Sequence, residues 1–271
     1  MANPSLKHSG FFSSQEIEVN KQFLDSGYII SNCEDMDSLD RIRSRLVEIT
    51  SVYLGDTFPE PAKLLNKIHT KVRPEQLNDL RVHIIQKINS EPWLRRNYFE
   101  LARSVIEILV GNELAMQLRV NLSIQMPQDD SSLLPVHADV WSGDSPFEVV
   151  VWLPLVDCYG SKSMFLLPPV AAEKLTESFI KFQGKSSEDI FREIESDLEW
   201  IEINYGQVLI FNQNLPHGNR INRENETRWS MNCRFKSIFS PYGDKKLGEF
   251  FEPITLRPAS RIGLGHRLPQ V

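Results

Sequence analysis

Residues 117–126 constrain the fold more than any other stretch of this chain. Gln117, Arg119, Asn121, Ser123 and Gln125 alternate with Leu118, Val120, Leu122, Ile124 and Met126. A period of two held over that length marks a β-strand with one polar and one apolar face. Apolar and β-branched content predicts further strands at 147–155, 164–167, 200–204, 207–212 and 228–239, and a short one at 28–30.

The chain ahead of residue 112 reads as helical. Ser13 and Glu16 can form a capping box, with Gly27 as the stop. Residues 35–54 place Leu39, Ile42, Leu46, Ile49 and Tyr53 at helical spacing before Gly55. Residues 58–61, Phe-Pro-Glu-Pro, read as a break. Helices are predicted over 74–88 and 91–110, with Pro74 and Pro92 in first-turn positions and Gly111 as a stop. A helical insert is expected at about 170–198. Helices first, then strands with one helical interruption, predict an α+β or mainly β chain with a sandwich or barrel core. Strict strand–helix alternation is absent, and so are the GxGxxG and GxxxxGK[ST] phosphate loops.

Composition narrows the partners. The chain has 271 residues, 41% of them hydrophobic, and 30 Lys and Arg against 36 Asp and Glu for a net charge of −6. An acidic chain without a basic stripe argues against nucleic acid as partner. Cys33, Cys158 and Cys233 are few and widely spaced, which predicts reduced thiols in a cytoplasmic protein. Residues 1–9 show no signal-peptide pattern, and no apolar run reaches the ~20 residues of a membrane span. The expectation is a soluble protein that binds a small molecule, not a membrane, with homodimerisation left open.

The chemistry gathers around three segments. His137 and Asp139 form the single HxD of the chain, between a predicted strand and the loop Trp141-Ser142-Gly143-Asp144. In extended chain, residues i and i+2 point the same way, so both can reach one ion. His217 follows the strand 207–212 and can return beside them. Two histidines and one carboxylate on one face suit a non-heme iron that keeps open positions. Arg228 and Ser230 share one face of the next strand, eleven residues beyond His217 in the case of Arg228. A guanidinium fork beside a hydroxyl suits the carboxylate end of a ligand.

These motifs, in this order, resemble the Fe(II)/2-oxoglutarate-dependent dioxygenases over roughly residues 119–239. The chain is most similar to the phytanoyl-CoA dioxygenase group, where a Trp on the strand after HxD touches the cosubstrate; Trp152 holds that place. Residues 137–169 also resemble oxygenases of bacterial carbohydrate and aminoglycoside-type gene clusters. Ser161-Lys162-Ser163 and Pro168-Pro169 depart from the phytanoyl pattern, as does the insert. The resemblance implies a double-stranded β-helix (jelly-roll, cupin-like) core with flanking N-terminal helices. It implies Fe(II) on His137, Asp139 and His217, 2-oxoglutarate with its tail on Arg228 and Ser230, and O2 as the third reactant. Succinate and CO2 leave as a small polar metabolite, such as a carbohydrate derivative, is hydroxylated. Related halogenases replace the carboxylate, so Asp139 favours hydroxylation or desaturation over halogenation.

The expected organisation is one catalytic domain over 1–271. It comprises helical support at 1–112, the jelly-roll core at 113–240 and a tail or lid at 241–271. Gln125 and Asn121 lie on the polar face that either lines the pocket or is exposed; Gln125 is the candidate to help hold the cosubstrate and Asn121 to touch substrate. Trp141 can stack on a polar ligand, and Arg234 can bind an anionic substrate or form a structural salt bridge. His8, His69, His83 and His266 have no such partners. A cupin-type Zn or Mn hydrolase or isomerase would use the same His-Asp-His set but has no need of Arg228 and Ser230. An inactive jelly roll would show a damaged triad.

Overall fold

The computed structural model describes residues 9–268. The opening segment read above as lacking a leader, with His8 in it, lies outside the described residues for all but Ser9. Helix α1 (Ser14–Ser26) starts on the capping box, with the Ser13 and Glu16 side chains and backbone amides exchanging hydrogen bonds. It stops at Gly27, whose φ of +80° is open to glycine at little cost. Strand β1 (Tyr28–Asn32) leads to α2 (Met36–Leu54), capped by Asp35 and ended by Gly55. Then come α3 (Pro61–Lys67) and α4 (Pro74–Asn89). The chain breaks as expected through residue 60, and the short α3 that follows was not expected; it has Pro61 in its first turn and no side-chain cap.

The helix expected over 91–110 is two, α5 (Leu94–Glu100) and α6 (Arg103–Val110), broken at Ala102 with φ −147°. Glu34 makes the break. Its amide donates to the Leu101 carbonyl at 3.0 Å, and its carboxylate accepts from the Ser104 amide at 3.0 Å. A cap donated from another segment replaces the local one.

The strand expected from 117 is also two, β2 (Leu114–Gln117) and β3 (Asn121–Gln125). Both pair with β9 (Arg228–Ser237), Met116 opposite Phe235 and Asn121 opposite Asn232. Residues 117–120 therefore span only 233–234 of the partner. Two extra residues preserve the alternation of faces, so the pattern survives the interruption. The Asn89 side chain bonds both the amide and the carbonyl of Val120 there, at 2.8 and 2.9 Å. Leu118 and Arg119 are exposed.

The remaining elements are β4 (Glu148–Pro154), β5 (Met164–Leu166), α7 (Pro169–Glu177), α8 (Ser187–Ile194), β6 (Glu199–Ile201), β7 (Gln207–Asn212), β8 (His217–Gly218), β10 (Phe251–Pro253) and α9 (Pro258–Gly265). Helices α7 and α8 occupy the expected insert. The larger sheet runs β1-β7-β4-β9-β2-β10, with β3 also on β9; the smaller runs β6-β5-β8. Every pairing between these strands is antiparallel, and the two sheets form a jelly roll flanked by the N-terminal helices. Strand β1 from the helical segment and β10 from the tail both join the larger sheet, so part of each flank is sheet. No helix among the described residues is long and apolar enough to cross a membrane.

Strand β4, in the interior of the larger sheet, is buried on both faces, which is why it reads as a nearly unbroken apolar run. Val149, Val151 and Leu153 of β4 join the helices' core with Leu39, Ile42, Leu46, Leu80 and Ile84. Val150 and Trp152 face the other way, into a second cluster with Met164, Phe165, Leu209 and Phe211. On β9, Trp229, Met231, Cys233 and Phe235 face the helices. Arg228, Ser230, Asn232 and Arg234 consequently point into the jelly roll. Trp229 is fully buried, and its indole N–H donates to the Leu65 carbonyl of α3 at 2.9 Å. Replacing Trp229 by Ala should cost about 3–5 kcal/mol of stability, read as a lower urea midpoint with the slope retained; an unchanged midpoint would show that the helices do not brace this sheet.

Candidate metal centre and anion clamp

His137 and His217 oppose each other as a cross-strand pair. The His137 amide donates to the His217 carbonyl at 3.1 Å, and the His217 amide to the His137 carbonyl at 2.8 Å. A directly opposed pair puts both side chains on one face, and the rings lie 4.3 Å apart by centroid. Gly218 permits this approach, because a Cβ there would meet the Leu134 carbonyl oxygen at 2.6 Å. Ala138 is extended, so Asp139 falls on the same side as His137 before the chain turns into residues 139–142.

One ligand atom from each of His137, Asp139 and His217 lies within 4.8 Å of the others. His137 Nδ1 contacts the Pro135 carbonyl at 2.8 Å and His217 Nδ1 the Leu215 carbonyl at 2.9 Å. A carbonyl accepts only from a protonated nitrogen, so in the neutral ring it is Nε2 that carries the free lone pair. Asp139 Oδ1 stands 3.6 Å from His137 Nε2, and Oδ2 pairs with Arg234 Nη2 at 2.8 Å. Burial alone would raise the Asp139 carboxyl, but Arg234 and the two imidazoles hold it below the ordinary carboxylate value. Burial, reinforced by His137, pushes His217 down to about 4, so its imidazole is neutral at physiological pH. Two imidazoles and a carboxylate, with the outer ring nitrogens hydrogen-bonded, fit a divalent transition metal.

These residues open on a cavity of about 250 Å³ whose walls also include Arg228, Trp152, Val150, Met164 and Phe211. Arg228 is 3% exposed, and burial pulls its guanidinium down to about 10. Its hydrogen-bond partners are neutral: Nη1 donates to the Ser163 carbonyl at 3.0 Å and Nη2 to Ser123 Oγ at 3.4 Å. Arg228 Nε and Ser230 Oγ are buried without any hydrogen-bond partner. A buried cation flanked by orphaned polar atoms fits an anionic carboxylate from the cavity. Residues 161–163, which depart from the phytanoyl pattern, form this buttress: Lys162 is buried on Asn66 and Glu226, and Ser163 receives Arg228.

Several expected contacts take another form. Gln125 faces inward but is not a wall of the cavity; register opposes it to Arg228, and its amide donates to the Arg220 carbonyl at 2.5 Å. Trp141 stands outside the cavity walls, 43% exposed and packed on Phe179 of the insert at 4.9 Å. Arg234 reaches the cavity, but its guanidinium is committed to Asp139, Gln213 and Gln117, so it forms the salt bridge and not an anion clamp. Asn121 does line the cavity, and its amide donates to Asn232 at 3.0 Å. His69 bonds Thr227 and His83 packs on Tyr53.

Ser123, Asn219 and Asn232 are walls that the motif reading omitted. Parity marks two of them: Ser123 shares the inward face of β3 with Asn121, and Asn232 that of β9 with Arg228. Asn219 fixes the loop before His137 by accepting from the Leu134 amide at 2.7 Å.

No family model matches the chain, and no curated protein matches it by sequence. Solved structures do. The non-heme monooxygenase ThoJ, as its nickel complex, superposes with a TM-score of 0.56 at 15% identity, over 93% of this chain and 89% of that one. EctD from S. alaskensis with 2-oxoglutarate and 5-hydroxyectoine gives 0.55 at 15% identity, over 85% and 78%. HygX from Streptomyces hygroscopicus with nickel and 2-oxoglutarate bound gives 0.50 at 13% identity, over 87% and 90%. At these identities the likeness is one of fold: the chain has the jelly-roll architecture of the non-heme oxygenases. The narrower resemblance to the phytanoyl-CoA group draws no support from them.

A histidine buried as the neutral ring links stability to pH. The unfolded ring titrates near the ordinary ~6.5, the folded one at about 4. Between those values the unfolded chain holds the extra proton, so this contribution is complete above about pH 6.5 and is lost as pH falls toward 4. It amounts to about 3 kcal/mol at most. Urea unfolding of metal-free protein should show the fall, and His217→Gln should flatten it; an equal slope in that variant would contradict the assignment.

Proposed function

We propose that this chain is a non-heme Fe(II)/2-oxoglutarate-dependent oxygenase that hydroxylates a small, neutral, polar metabolite such as a carbohydrate derivative, releasing succinate and CO2. The observation that carries this reading is Arg228: a buried guanidinium without an anionic partner, opening on the same cavity as His137, Asp139 and His217. A hydrolase or isomerase of cupin type would need the three metal ligands but would leave that charge uncompensated.

His137, Asp139 and His217 would hold Fe(II), and Arg228 with Ser230 and Ser123 would hold the far carboxylate of 2-oxoglutarate. Bound together, metal and cosubstrate supply O2 activation coupled to oxidative decarboxylation. The protein's own part is orientation and exclusion of water. Trp152, Val150, Met164 and Phe211 give the chamber dry walls, and Phe211 packs on the His217 ring at 4.9 Å. Water exclusion protects a reactive centre and strengthens the Arg228 contact.

The cavity's charges are then allotted: Asp139 to metal, Arg234 to Asp139, Arg228 to cosubstrate. The polar walls that remain include the amides of Asn121 and Asn232. Amides donate and accept together, which suits hydroxyl groups better than a net charge. Trp141 and Phe179 beside the turn offer an apolar face to a larger substrate ring.

Anaerobic titration with Fe(II) and 2-oxoglutarate tests the class. A weak visible charge-transfer band that needs both components and vanishes in His217→Ala is the expected result. Arg228→Ala should keep its metal and lose at least about 100-fold in 2-oxoglutarate affinity. Unchanged affinity would remove the clamp and leave the cupin-type metalloenzyme.

A further inference from the structure

Asp139 has two carboxylate oxygens, and they are in different hands. Oδ1 lies toward the histidines, 3.6 Å from His137 Nε2, whereas Oδ2 is paired with Arg234 Nη2 at 2.8 Å. Arg234 is itself immobilised. Its Nε donates to Gln213 Oε1 at 3.0 Å, and its backbone amide and Nη1 both reach Gln117 Oε1, at 3.2 and 3.4 Å. Gln213 is fully buried, and its amide nitrogen donates to Glu148 Oε2 at 2.9 Å and to the Ser145 carbonyl at 2.8 Å.

The Gln213 carbonyl also accepts from the Asp139 amide at 3.1 Å. One residue therefore fixes the backbone of Asp139 and, through Arg234, the rotation of its carboxylate. A carboxylate free to rotate can chelate a cation with both oxygens. One whose second oxygen is held in a charge-assisted hydrogen bond offers a single atom.

We propose that Arg234 is a positioning residue that limits Asp139 to one donor oxygen, so that the triad gives a metal three protein atoms and leaves the other positions free. This rests on the metal reading of the triad, but not on the identity of the cosubstrate. These contacts engage all three guanidinium nitrogens and direct the charge at Asp139.

Mn(II) alone is a sufficient probe, because it prefers six positions and its bound waters relax the bulk solvent. Water-proton relaxation per bound Mn(II) should fall by about a third in Arg234→Met, as Asp139 takes a second position from one of three waters. Arg234→Lys, which still pairs the outer oxygen, should restore the wild-type value. Relaxation unchanged in Arg234→Met would overturn the proposal. So would loss of Mn(II) binding in both Arg234→Met and Arg234→Gln, which would make the salt bridge a requirement for folding the site. If Arg234→Met does not fold, Arg234→Gln, a neutral side chain, decides on the same readout. Wild-type protein that binds no Mn(II) at all would instead overturn the metal reading itself.

Discussion

Strand β9 keeps two incompatible environments one side chain apart. Trp229, Met231, Cys233 and Phe235 are buried against the helices, while Arg228, Asn232 and Arg234 line the cavity and Ser230, buried, shares their side of the strand. A slip of one residue would send Arg228 into an apolar layer and Trp229 into the cavity. Register is therefore held on both sides of the strand, by β4 from Glu148–Lys236 to Pro154–Ser230 and by β3 from Asn121–Asn232 to Gln125–Arg228. The helices matter for the same reason. Without α2, α3 and α4 the outer face would be a large exposed apolar surface, and the polar inner face would lose its anchor.

The two inward arginines show how the same residue type can serve opposite ends. Arg234 has an anionic partner at 2.8 Å and three further hydrogen bonds, so its burial is offset within the protein. Arg228 has neutral partners, an orphaned Nε and an orphaned hydroxyl beside it. Burying it costs stability that the fold must supply elsewhere. A cost of that kind persists where a ligand makes use of it, and sites of function are where it is expected.

How much was legible in the sequence follows from whether the governing contacts are local. The α1 and α2 boundaries were legible because Ser13, Glu16, Asp35, Gly27 and Gly55 act within a few residues of the helix they bound. HxD, the returning histidine and the Arg-Ser pair were legible because strand parity alone puts their members on one face. The break at Ala102 was not, because its cause is Glu34, some seventy residues upstream of Ser104. The break between β2 and β3 was not, because its cause is Asn89 on α4. Gln125 passed for a pocket residue since parity gives direction but not depth along the strand; it sits beyond the cavity, tied to the Arg220 carbonyl. Arg234 was ambiguous between ligand and salt bridge because the choice depends on Gln213 and Gln117, which only the folded chain brings to it.

The three metal-directed side chains are oriented by different means, and this separates what local chain can do from what the whole fold must do. Each histidine sets its own tautomer through the carbonyl two residues before it, Pro135 for His137 and Leu215 for His217. Those contacts travel with the segment. Only one long-range event, the pairing of His137 with His217 over Gly218, is then needed to aim both lone pairs at one point. Asp139 has no comparable local partner for its carboxylate, and its aim comes from Arg234 on β9 and Gln213 after β7. The imidazoles are thus as well defined as the strand pair that carries them. The carboxylate is as well defined as a buried network of charges, whose geometry holds only while the jelly roll is closed around it.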